Sequence, residues 1–149
     1  METYVPTKEV ETFEKTFYFE GRDIKIQVWD TSGQDKGQNL SSYYYEKTNG
    51  IILIYDITNR ESFENILNYM SYVEKYTEKN GIKLLIGNKY DLDSLRKVTF
   101  EEGEKLGKKY GMPFVETSAK NSKNIHKSVI SLFKEIKRKD EISLDPREE

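Results

Sequence analysis

An α/β fold on a mostly parallel sheet is what this sequence predicts, and three observations predict it. From Ile51 onward the order of patterns is strand, helix, strand, helix, strand, helix, the alternation of a parallel sheet with helices on both faces. Of the strand patterns, "IILIYD" (Ile51 to Asp56) is a continuous β-branched run and "IKLLIG" (Ile82 to Gly87) reads as another buried strand. Such runs suit parallel strands covered on both faces. Each of three strand patterns then runs into a polar cluster, and in open α/β sheets ligands bind outside the carboxyl ends of the strands.

The elements follow in order. "TFYFEGRDIKIQVW" reads as a hairpin: Phe17 and Phe19 alternate before Glu20 and Gly21, and Ile24, Ile26 and Val28 alternate with Lys25, Gln27 and Trp29, the period of a half-buried strand. Phe63, Ile66, Leu67, Met70 and Val73 fall at helical spacing, predicting a helix over roughly Glu61 to Lys79. Thr99 and Glu102 form a capping-box pattern that opens a second helix ending near Gly111, with Pro113 just beyond. "FVET" (Phe114 to Thr117) is a short strand, and Ile125, Val129, Leu132, Phe133 and Ile136 mark a last helix. The domain is expected over residues 1–138 and a polar flexible tail over 139–149.

Composition narrows the function. Charged residues make up 34% of the 149 residues at a net charge of -2, which argues against bulk electrostatic binding to nucleic acid or a membrane surface. There is no cysteine, hence no disulfide framework, thiolate zinc site or acceptor for prenylation within these residues. The longest apolar run is too short to span a bilayer and the first residues lack the pattern of a signal peptide, so a cytoplasmic protein is expected. The single histidine, His126, reads as part of a solvated helix face.

Three clusters carry the chemistry. In "WDTSGQ" (Trp29 to Gln34) an aspartate can hold a divalent cation through water. Gly33 lets a main-chain N–H approach an anion, and Gln34 can orient a water toward phosphorus. In "NKYD" (Asn88 to Asp91) the two oxygens of Asp91 match the adjacent N1–H and amine donors of guanine, a pair that adenine lacks. Asn88 can tie neighbouring loops together, and the Lys89 stem can lie over a base face. In "ETSAK" (Glu116 to Lys120) small residues at Ser118 and Ala119 let main-chain N–H groups reach a purine carbonyl. Taken singly, each cluster also reads as a polar turn or an ordinary loop.

Taken in order, with "IKIQVWDTSGQ", "SSYYYEKTNGIILIYDITNRESFENI", "LLIGNKYDL" and "PFVETSAKN", they resemble the small GTPases of the Ras superfamily, Rab proteins most of all, from about Tyr4 to about Arg138. The resemblance implies a three-layer P-loop-NTPase fold and a GTP-hydrolysing switch of vesicle trafficking, with GTP or GDP and Mg2+ as ligands. It implies that Thr7 of "YVPT" ligates Mg2+ and senses the γ-phosphate, that Asp30 holds Mg2+ through water, and that Gly33 contacts the γ-phosphate. Gln34 matches the glutamine that positions the hydrolytic water. Asn88, Lys89 and Asp91 match the guanine-specificity motif, and Ser118, Ala119 and Lys120 the loop completing the base pocket. Effectors and regulators would meet the surface Thr7–Phe13 and Trp29–Tyr44. Neither nucleic acid nor a direct lipid anchor is expected.

The family's central first strand, glycine-rich phosphate loop and first helix have no counterpart in these residues. "GEKLGKK" (Gly103 to Lys109) is not a phosphate loop: its glycines are one residue too close, no Ser or Thr follows the lysine, and it falls inside a helical pattern. Losing about four charge-assisted contacts at roughly 1.5–3 kcal/mol each removes on the order of 6–12 kcal/mol, so weak GTP binding is expected. Two readings follow: a shortened Rab-like GTPase, or a pseudo-GTPase interaction module without hydrolysis. In the second switch Asp35, Lys36 and Gly37 stand where the family carries E-R-F, and the shortened sheet would expose an unpaired apolar edge.

Overall fold

A computed structural model describes residues 11–19, 21–30, 48–76, 82–118 and 120, together with 128, 130–132, 134–136 and 138. The chain divides into two units, Met1–Leu40 and Ser41–Glu149.

In the first unit, β1 (Glu11–Phe19) and β2 (Arg22–Asp30) form an antiparallel hairpin. Its register pairs Phe17 with Ile24 and Phe19 with Arg22. The connection is two residues long, and Gly21 takes a φ of 82°, a left-handed conformation that glycine adopts without a Cβ penalty. Glu14 and Lys25 lie on one exposed face with Oε2 and Nζ 3.1 Å apart.

In the second unit, β3 (Gly50–Asp56), β4 (Ile82–Asn88) and β5 (Phe114–Glu116) form a parallel sheet in the order β3-β4-β5. Among the described residues the strands thus form two sheets, and β3 is an edge strand. Helices α1 (Arg60–Tyr76) and α2 (Phe100–Tyr110) connect the strands. The described residues from 128 to 138 are helical.

Alternation along the strands sorts the side chains onto two faces. On one face, Leu53, Tyr55 and Leu85 are buried with Phe63, Ile66, Met70 and Val73 of α1. The Tyr55 and Phe63 rings meet edge-on at 5.0 Å, and Phe114 stacks on Tyr55 at 6.5 Å. Lys83 lies on the same face, 8% exposed, and its ammonium reaches Glu74 of α1 at 3.0 Å. On the other face, Leu84 and Ile86 are buried with Leu132 of the C-terminal helix, flanked by Ile82, Val115 and Ile136.

That helix covers β4 but leaves its neighbour open. Ile52 and Ile54, paired with Leu84 and Ile86, are 39% and 57% exposed. The expectation that "IILIYD" is covered on both faces is therefore corrected: opposite α1, Ile136 approaches β3 at Gly50, but Ile52 and Ile54 are exposed.

The helix termini account for the boundaries. At the start of α1, Asn59 Oδ1 accepts from Ser62 N at 3.2 Å, a side-chain cap. At α2 the box expected from sequence is present: Thr99 Oγ1 accepts from Glu102 N at 3.2 Å, and Glu102 Oε2 accepts from Thr99 N at 2.9 Å. The helix ends at Gly111, whose φ of 66° is the left-handed cap. Arg60 clamps the two helix starts together, its NH2 2.6 Å from Glu102 Oε1 and its NH1 2.9 Å from Oε2. The Arg60 guanidinium, then the Thr99 main chain, lower the Glu102 pKa to about 2. The "GEKLGKK" glycines lie within α2, where Gly103 faces the Phe114 ring and Tyr55 hydroxyl and Gly107 the Met112 carbonyl oxygen, too close for a side chain.

Tyr55 is 2% exposed, yet its hydroxyl has no hydrogen-bond partner among the described residues. Burial, and next the Glu116 carboxylate, raise its pKa far above the ordinary value, so it stays neutral. An unsatisfied buried hydroxyl costs about 1–3 kcal/mol. Tyr55→Phe is accordingly expected to leave urea-unfolding stability unchanged or raise it by up to about 1 kcal/mol; a loss of that size would show that the hydroxyl has a partner.

Candidate functional site

The polar residues gather where the three parallel strands end. The register sets Asp56 beside Asn88, and Gly87 beside Glu116, so the residues following each strand emerge side by side. Lys89 turns the chain out of β4 in a left-handed conformation, φ 69° and ψ 35°, and residues Tyr90–Leu95 form a short 3-10 segment. Tyr90 N donates to Thr117 O at 3.0 Å and Thr117 N to Gly87 O at 2.9 Å. The loops after β4 and β5 are thereby laced together by main-chain bonds.

Side chains complete the lacing. Thr117 Oγ1 donates to Asn88 Oδ1 at 3.2 Å, and Ser118 Oγ, fully buried, donates to Asp91 Oδ1 at 2.7 Å. The Asp91 side chain is exposed, and its second oxygen takes no bond from the described residues. The Lys89 ammonium lies 2.8 Å from Asp56 Oδ2, while Asp56 Oδ1 accepts from Thr58 N at 2.8 Å and Thr58 Oγ1 at 2.6 Å. Lys120 is exposed in a turn. Asn88, Lys89, Asp91 and Ser118 therefore share one end of the sheet.

The other sequence-derived candidates stand apart from this description. Thr7, Gly33, Gln34 and Ala119 lie outside the described residues, as does His126. Asp30 ends β2, in the other unit. Among the described residues no group of three or more His, Cys, Asp or Glu side chains could hold a metal ion.

Sequence reasoning missed two supports of the site. Asp56 was read only as the end of a strand. Its lead would have been position: in register with Asn88, it meets the residue that leaves β4. The second is Arg96, whose guanidinium forks onto Glu116 at 2.6 and 2.7 Å and also bonds Asp93 Oδ1 at 2.6 Å and Val98 O at 3.0 Å. Glu116 is 7% exposed. This bidentate contact fixes the far end of the 3-10 segment to β5, and nothing in the local sequence pairs residues twenty apart.

Removing one partner of a buried ion pair strands the other charge. Arg96→Ala is expected to destabilise the fold by about 3 kcal/mol in chemical denaturation, with Arg96→Lys recovering only part, since an ammonium cannot fork. The Asp56 carboxylate gives a pH signature. Burial pushes its pKa up, but the bonds from Lys89 and Thr58 outweigh this and hold it below the ordinary 3.8. A depressed folded pKa contributes stability above the unfolded value, lost as pH falls through the folded one. Lys89→Met is expected to lower stability at neutral pH and to flatten its decline below pH 3.8, read from urea midpoints across that range.

Comparison with known proteins agrees with this geometry. The sequence model described as "Ras family" matches residues 1–138. The chain is 40% identical over 137 residues to the Ras-related protein RIC1 of Oryza sativa subsp. japonica, covering 92% of this chain and 68% of that protein. It is 40% identical over 136 residues to the Ras-related protein Rab-1D of Dictyostelium discoideum, covering 91% and 67%. Against the Ras-related protein Rab-13 of Bos taurus it is 42% identical over 134 residues, covering 90% and 66%. The chain thus spans about two thirds of the length of these relatives. With its parallel sheet, its helices and the polar strand ends in the expected order, the chain belongs to the Ras family, as a Rab-like small GTPase domain.

Proposed function

We propose that this domain is a guanine-nucleotide switch of vesicle trafficking whose base-reading end is intact and whose phosphate grip, within residues 1–149, is weak. The observation that carries the reading is the orientation of Asp91. One oxygen is held by Ser118 Oγ at 2.7 Å, which aims the exposed carboxylate from the carboxyl end of the sheet. Two oxygens in one plane suit adjacent N–H donors such as those on guanine. Asn88 and Thr117 brace the loops on either side.

Under this reading Lys89 flanks the base while its ammonium stays with Asp56, and Ser118, Ala119 and Lys120 form the facing wall. Thr7 and Asp30 would serve Mg2+, Gly33 the γ-phosphate and Gln34 the hydrolytic water. Rab-type effectors and regulators are the proposed partners and the cytoplasm the proposed location. No helix among the described residues is long and apolar enough to cross a membrane.

The motif G-x-x-x-x-G-K-S/T does not occur in the 149 residues, which supports weak binding by them alone. Titration of residues 1–149 with fluorescent guanine and adenine nucleotides in Mg2+ tests both parts. Expected are weak binding, a preference for guanine, and a reduction of that preference by at least about tenfold in Asp91→Ala. Sub-micromolar affinity would overturn the weak grip, and an unchanged base preference in Asp91→Ala would overturn the base-reading role.

A further inference from the structure

Asn49 combines the features that make an asparagine chemically reactive. It is exposed, stands in a bend just ahead of β3 and precedes a glycine. Glycine has no side chain to hinder attack by its own main-chain nitrogen. That N–H is loosely held: Gly50 N donates to Thr48 Oγ1 at 3.4 Å, longer than the ordinary range of about 2.7–3.2 Å. The other described asparagines lack this combination. Asn65 and Asn68 lie within α1. Asn59 and Asn88 precede Arg60 and Lys89, and their side-chain oxygens accept from Ser62 N and Thr117 Oγ1.

We propose that Asn49 is a site of spontaneous deamidation whose isoaspartyl product loosens the start of β3 from the C-terminal helix. The only co-reactant is water. Gly50 N attacks Asn49 Cγ and a C–N bond forms. The side-chain nitrogen departs as ammonia, taking the proton of the Gly50 N–H. Water then opens the cyclic imide at one of its two carbonyl carbons. One opening gives aspartate. The other gives isoaspartate, in which the main chain runs through the former side-chain carbon. Both products carry a carboxylate where a neutral amide stood.

The surroundings make the isoaspartyl product consequential. Thr48 Oγ1 also donates to Gly50 O at 2.7 Å, so one hydroxyl spans the link across Asn49 that isoaspartate lengthens by a carbon. Gly50 pairs with Ile82 in the sheet. Even a Cβ added at Gly50 would stand 3.1 Å from Ile136 Cδ1 and 3.6 Å from Ile82 O, so a main chain displaced here meets packed atoms. Ile136 in turn packs against the group formed by Leu84, Ile86 and Leu132. Close-packed interiors transmit such strain, and the C-terminal helix is the element that receives it. The inference is independent of nucleotide binding.

Incubation of residues 1–149 at mildly alkaline pH, folded and in urea, tests it. Peptide mapping by mass spectrometry follows conversion at position 49 and separates it from the other Asn–Gly pair of the sequence, Asn80–Gly81. Methyl transfer by an isoaspartate methyltransferase measures the isoaspartyl share. Asn49 is expected to convert in the folded chain at a rate within about tenfold of that in urea, because an exposed bend has little structure to open first. The isoaspartyl fraction, separated by chromatography, is expected to unfold at lower urea than the unmodified chain. Asn49→Asp adds the charge on an unaltered main chain and is expected to keep the wild-type midpoint. An Asn49 that converts in urea but persists in the folded chain would overturn the proposal. So would an isoaspartyl fraction as stable as the unmodified chain, or an Asn49→Asp variant weakened as much as that fraction.

Discussion

The register of the parallel β3-β4-β5 ladder is the constraint on which the rest depends. A one-residue slip would send every side chain of a strand to the opposite face. Lys83 would leave Glu74, Leu84 and Ile86 would lose Leu132, and Tyr55 would leave the space opposite Gly87 and Gly103. The same register sets Asp56 beside Asn88 and Gly87 beside Glu116. The apolar core therefore places the polar cluster: packing between Ile82 and Ile86 decides that Asn88, Lys89 and Thr117 emerge as neighbours.

Beyond the strand ends, order is maintained by bonds rather than by burial. Residues Tyr90–Leu95 contain no buried residue, so no apolar packing of their own holds them. They are anchored at one end by Tyr90 N on Thr117 O, in the middle by Asp91 on Ser118, and at the far end by Arg96 on Glu116. A loop held at three points loses little further entropy when a ligand arrives. This distinguishes it from the bland polar turn that the same residues suggest when read alone.

Much of this was legible in the sequence, for reasons particular to each element. The hairpin announced itself through period-two alternation around Gly21, and α2 through Thr99, Glu102 and Gly111, because capping chemistry is local. Asn88, Asp91 and Ser118 were legible as a group because three polar clusters followed three strand patterns in order. The Arg96–Glu116 fork and the Lys89–Asp56 pair were not, since each joins elements that only the sheet register brings together. The coverage of β3 was misread for a related reason. A continuous apolar run records what a strand can bury, and Ile52 and Ile54 show that whether it is buried depends on where a helix from the far end of the chain comes to rest.

The two faces of β3 differ in how they are covered. On the α1 face, Leu53 and Tyr55 are buried, and Tyr55 fills the gap left by two glycines with a hydroxyl that has no partner among the described residues. On the other face, Ile52 and Ile54 are exposed, and among the described residues β3 is an edge strand. Apolar strands exposed at an edge are stabilised only when something pairs with them, and natural sheets otherwise protect such edges with charge, proline or a bulge. Residues 50–55 carry no charge and no proline. The polar end of the sheet and the β3 strand thus belong to the same ladder, and Asp56 stands at their junction. Its carboxylate holds Lys89 in the site while its main chain, closed by Ser62 and Asn59, marks where the open edge stops.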